Sequence, residues 1–106
     1  MLVYLWTAVT PEAASLRRSF GISDDASRAR DAAGQCLRDG HAQLAVVETA
    51  RTEIHPHTFL RRYRLTGTGW WATPGLAGQV RWTRFTSPDT APRLHAPAAG
   101  EADRDA

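Results

Sequence analysis

The stretch RLTGTGWWATPGLAGQVRW, residues 64–82, sets three of the four tryptophans beside two arginines and holds two clusters of turn-forming residues. Its reading decides how the C-terminal half of the chain folds. Gly67-Thr68 has the chemistry of a two-residue type II′ turn, with glycine first. Pro74–Gly78 supplies a second turn. With these two turns, FLRRYRLT (59–66), GWWAT (69–73) and QVRWTRF (79–85) form a three-stranded meander. The implied register sets Leu65 opposite Trp70, Arg64 opposite Trp71, Trp71 opposite Arg81 and Trp70 opposite Trp82.

Side chains of a strand alternate between the two faces of its sheet. Tyr63, Leu65, Trp70, Ala72, Val80 and Trp82 therefore share an apolar face. Arg62, Arg64, Trp71, Arg81 and Thr83 share the other. On this reading Trp70 and Trp82 are core. Trp71 lies on the open face between Arg64 and Arg81, in a cross-strand ladder whose cation–π contacts are worth about 0.5–1 kcal/mol each.

Moving outward, LVYLWTAV (2–9) is apolar on both alternations and predicts a strand covered on both faces. TPEAASLRRSFG (10–21) opens with Thr10 as a cap, Pro11 in the first turn and Glu12 at the positive end of the dipole, which predicts a short helix to about Ser19, stopped by Gly21. In SDDASRARDAAGQCLRDG (23–40), Ala26, Ala29, Ala33, Cys36 and Leu37 recur at helical spacing. They predict the main helix over about 24–39, capped by Ser23 or Asp24 and ended by Gly40. Cys36 reads as a small core residue of that helix. AQLAVVETAR (42–51) predicts a strand, and Pro56 interrupts TEIHPHT (52–58) because it cannot donate to a ladder.

These elements give an α+β two-layer sandwich in the order β-α-β-β-β-β. Its sheet is mostly antiparallel and its main helix covers one face. A single domain spans 1–86, and 87–106, rich in Pro, Ala and acids, reads as a disordered tail.

All thirteen basic residues are arginine, against eleven acids. The charge is uneven. Residues 51–86 carry six arginines and only Glu53, a formal +5, between flanks of −1 and −2. One cysteine excludes an internal disulfide and suits a reducing compartment. The apolar start lacks a basic leader region and falls far short of the roughly 20 residues of a membrane helix, so a cytoplasmic location is expected.

There is no phosphate loop, no nucleophile elbow and no facing carboxylate pair, so neither an enzyme nor a cofactor nor a small-molecule substrate is expected. Glu53, His55 and His57 would project together from a regular strand, as a two-histidine, one-carboxylate metal site requires. Pro56 breaks that regularity, and the segment reads as a polar loop without metal.

The basic, Trp-bearing sheet face predicts a nucleic-acid-binding accessory or regulatory protein, with Arg61, Arg62, Arg64, Trp71, Arg81 and Arg84 as its contacts. The competing expectation is a protein-interaction or homodimerisation module with the same Trp and Arg as its hot spot. YLWTAV, the Ala-rich helix, LAVVE and the closing GQVRWTRF together resemble small uncharacterised proteins of high-GC actinobacteria. That resemblance covers 1–86 and implies no activity.

Overall fold

The computed structural model describes residues 1–12, 15–40 and 42–92. Strand β1 (Leu2–Glu12) runs into strand β2 (Ser15–Ser23), and helix α1 (Ala26–Arg38) follows. Strands β3 (Leu44–Ile54), β4 (Arg61–Ala72) and β5 (Thr83–Phe85) come next, with 3-10 turns at Leu76–Gly78 and Pro88–Thr90. The strands form one sheet in the order β2-β1-β3-β4-β5, every neighbouring pair antiparallel. The α+β class and the main helix on one face of a mainly antiparallel sheet hold. The element order is β-β-α-β-β-β.

The helix expected over 10–19 is instead a β-hairpin, in which Tyr4–Glu12 pair with Ser15–Ser23. Cap-like residues at its start had suggested a helix. The period is two: Arg18, Phe20 and Ile22 alternate with Ser19, Gly21 and Ser23. β1 pairs with β3 only from Leu2 to Val9, so Pro11 sits beyond that ladder, where its missing N–H costs β3 nothing.

The main helix lies where its spacing predicts, but its cap is Asp25. That carboxylate accepts from the backbone N–H of Ser27 (2.8 Å) and Arg28 (3.2 Å). Both donors would otherwise lack a partner in the first turn. Asp25→Ala is expected to cost about 1 kcal/mol, read as a lowered thermal midpoint with unchanged secondary structure.

The helix buries Ala29, Ala33 and Leu37 against Ala8 of β1, Ala45 and Val47 of β3 and Ala72 of β4. Small side chains on both layers let the helix approach the sheet closely. Trp6, Trp70, Val80 and Trp82 pack around the margin of this core, as does half-buried Cys36.

Residues 64–82 depart most from expectation. Gly67-Thr68 is not a hairpin turn; β4 runs through it as one strand. Glu48 pairs with Gly69 and Ala50 with Leu65, so Thr66, Gly67 and Thr68 together span the single residue Thr49. This is a bulge with two extra residues. Gly67 takes φ 86°, which favours glycine. The Thr66 hydroxyl bridges the bulge, donating to the Thr49 carbonyl at 3.2 Å and lying 2.9 Å from the Thr68 hydroxyl.

A two-residue turn would have folded Leu65 and Trp70 onto one face. Two extra residues preserve strand parity instead, so Tyr63 and Leu65 share a face with Trp71. The strand expected over 79–85 shortens to Thr83–Phe85, and its register on β4 differs from the expected one by two residues: Trp71 faces Thr83 and Trp70 faces Arg84. Val80 and Trp82 leave the sheet to pack at the helix, where a Cβ on Gly34 would lie 3.7 Å from each. Ser87–Pro92, read as the start of a disordered tail, includes the 3-10 turn Pro88–Thr90. The rest of the expected tail lies outside the described residues.

Candidate nucleic-acid interface

The placement of Trp70 and Trp82 beside the helix-side core, with Trp71 on the opposite sheet face, agrees with the alternation argument. The arginines do not follow. Trp71 is half-buried, between Val46 of β3 and Thr83 of β5, and neither Arg64 nor Arg81 is its cross-strand neighbour. Arg62, Arg64 and Arg84 lie on the helix side of the sheet, whereas Arg61 lies on the side of Trp71. Arg81 is exposed in the segment before β5. The six expected contact residues therefore do not form one surface, because β4 runs on through Gly67-Thr68 with its parity kept, where the expected turn would have folded Arg64 onto the face of Trp71.

A cation–π arrangement does exist, around the other tryptophan. The Arg30 guanidinium carbon lies 4.6 Å from the Trp70 ring centroid and that of Arg84 lies 5.8 Å away. The helix packs on β1, β3 and β2, which leaves the Trp70 indole at its rim. One arginine from the helix and one from β5 cover that rim, and each contact is worth about 0.5–1 kcal/mol.

The largest concentration of exposed arginine is in the β3–β4 hairpin. The last pair of β1 with β3 is Leu2 with Arg51, and β5 pairs with β4 only at Gly69–Trp71. Thr52 still donates its N–H to the Met1 carbonyl (3.0 Å), and beyond it Glu53 with Arg62 and Ile54 with Arg61 continue as a two-stranded ribbon. At roughly 3.3 Å per residue, the arm projects about 15 Å past the end of β1. Arg61 and Arg62 are exposed on it and Arg51 and Arg64 are exposed at its base, with Glu53 as the one acid, a formal +3. Glu53 approaches Arg64 at 3.8 Å, a solvent-exposed pair worth at most about 1 kcal/mol.

The arm ends in an ordered turn. The His55 N–H donates to the Leu60 carbonyl and the Phe59 N–H to the His55 carbonyl, both at 2.9 Å. Nδ1 of His55 accepts from the N–H groups of His57 (3.1 Å) and Thr58 (3.2 Å). His55 thus braces the turn through its ring, and Glu53 faces Arg64. No group of three His, Cys, Asp or Glu side chains suited to a metal ion occurs among the described residues.

Arg51, Phe59 and Leu60 belong to this site although the sequence reading did not single them out. The cue was available in IHPHTFL, a proline-bearing break between two strand-like runs. Such a break marks a hairpin tip, and its apolar pair falls where a solvated turn needs none.

On the face away from the helix, Pro88 packs over the Gly67 bulge, and a depression of about 270 Å³ opens beside it. Glu48, Leu65, Thr66 and Phe85 help line it. No helix among the described residues is long and apolar enough to cross a membrane.

Fold and site together define a small α+β protein whose described residues form one α-helix on an open five-stranded antiparallel sheet with a basic ribbon arm. Comparison with known protein families, with characterised proteins and with solved structures gives no match.

Proposed function

We propose that this protein is a small nucleic-acid-binding accessory protein that engages its target with the β3–β4 arm. The observation that carries the reading is the arm itself: a projecting two-stranded ribbon with Arg61 and Arg62 exposed on it, Arg51 and Arg64 exposed at its base, and one acid. A two-stranded β-ribbon is one of the elements that enter a duplex groove. Arginines on both of its sides suit phosphates on both walls, because backbone contacts supply most of the affinity for a polyanion. The arm is convex, which fits a groove better than it fits an extended single strand, since single strands are bound in concave channels lined with aromatics. Arg84 and Trp71 belong to the body of the protein and leave the contact set, as does Arg81.

The test is fluorescence anisotropy of a labelled duplex at low salt. Saturable binding that weakens as salt rises is the expected result. Absence of binding to any duplex at low salt ends this reading.

A second reading rests on a separate observation. On the sheet face opposite the helix, Phe20 is 77% exposed and Leu65 52%, with Ile22 exposed beside Phe20. Strands β2, β1, β3 and β4, about 4.8 Å apart and some seven residues long, span roughly 450 Å² in projection on that face, about half of the ~800 Å² per partner of a standard interface. A second copy of the chain fits that face through an isologous contact. Light scattering over a dilution series is expected to show a dimer that Leu65→Arg converts to monomer. A wild-type chain that stays monomeric at every concentration removes this reading and leaves the arm untouched.

A further inference from the structure

We infer that the tip of the arm, Phe59 with Leu60, is an apolar wedge that enters a base step of duplex DNA from the minor groove and kinks it. This rests on the nucleic-acid reading and adds a ligand form and a mechanical consequence to it.

Phe59 is 77% exposed and Leu60 67%. Neither belongs to the core, so burial within the fold does not account for them. Phe59 also holds φ 58°, a left-handed conformation in which a bulky side chain is a genuine outlier. The turn holds it there: His55 accepts from the two preceding N–H groups through its ring and from Phe59 itself through its carbonyl, and Thr58 Oγ1 accepts from the Leu60 N–H at 3.3 Å. A strained aromatic held in water by a well-bonded turn is organised for a contact that the isolated chain does not contain.

The surroundings specify the contact. Arg61 and Arg62 follow the tip directly, so whatever receives Phe59 carries negative charge within one or two residues. Duplex DNA offers an apolar slot, the stacked base step, between two rows of phosphate. Phe and Leu are among the side chains that part base steps from the minor groove, and the duplex then bends toward the major groove. The narrow minor groove concentrates negative potential that attracts arginine. Pyrimidine–purine steps unstack most readily, so a duplex with a central TA step is the favoured ligand.

The experiment uses the full chain and a short duplex with a central TA step, a donor dye at one end and an acceptor at the other. Anisotropy reports binding and energy transfer reports bending. The wild-type chain is expected to bind and to raise transfer, with a bend of at least about 20°. The double variant Phe59→Ala, Leu60→Ala is expected to bind through its arginines and leave the duplex straight. Both residues are exposed, so an unchanged melting curve verifies that the variant is folded. Binding without bending by the wild type, or bending that survives in the double variant, overturns the wedge and leaves the arm as a phosphate-binding element. Failure of the wild type to bind any duplex overturns the nucleic-acid reading and the wedge with it.

Discussion

Gly69→Ala is expected to destabilise the fold by about 3 kcal/mol, at the upper end of what overpacking a well-packed site costs. Gly69 lies where β4 is paired on both sides, to Glu48 of β3 and Phe85 of β5. A Cβ there would overlap the Val47 carbonyl oxygen and come within 2.9 Å of Cζ of Phe85. The carbonyl belongs to backbone and cannot turn aside as a flexible side chain would. Relief requires β4 to move away from β3, which breaks the ladder next to the bulge and disturbs buried Phe85. For a domain of this size, 3 kcal/mol lowers the thermal midpoint by on the order of 15 °C. A melting curve within a few degrees of wild type would show that β3, β4 and β5 are not packed as described.

Replacing Arg51, Arg61, Arg62 and Arg64 together with alanine is expected to abolish most of the salt dependence of binding. Each phosphate neutralised on B-form DNA adds about −0.9 to the slope of log K against log salt. If all four arginines touch phosphate, the wild-type slope is about −3.6, and affinity falls roughly a hundredfold between about 50 and 200 mM salt. The fourfold variant is expected to bind weakly with a slope near zero. All four side chains are exposed, and none contributes to the core, so its melting curve is expected to stay close to wild type. A wild-type slope that the substitutions leave unchanged would move the phosphate contacts to another surface. The arginines around Trp70 are the alternative there, and Arg84→Ala tests them.

Local chemistry was legible wherever the short-range pattern was unambiguous. The helical period of Ala29, Ala33 and Leu37 placed α1 and its buried stripe. The alternation through Trp70, Trp71 and Ala72 assigned Trp70 to the helix side and Trp71 to the opposite face. The apolar run from Leu2 to Val9 read as a strand, and it lies in β1, between β2 and β3. In 10–19 the sequence carries two conflicting signals: Thr-Pro-Glu is helix-start chemistry, whereas the alternation that follows it is that of a strand. Pairing with β1 outweighs so weak a local preference.

What the amino-acid order determined by itself was therefore the class of the fold, the helix and the concentration of positive charge in 51–86. What tertiary structure alone decided was the meaning of Gly67. A glycine with a positive φ serves a tight turn or a bulge equally well, and the same local residues are compatible with both. The choice was made by long-range pairing, because β3 continues past Thr49 and offers β4 partners from Ala50 to Ile54. Following that partner carries the chain into an arm and sets Arg62 and Arg64 on the face opposite Trp71. No local pattern encodes that outcome, since the residues that select it lie on a different strand.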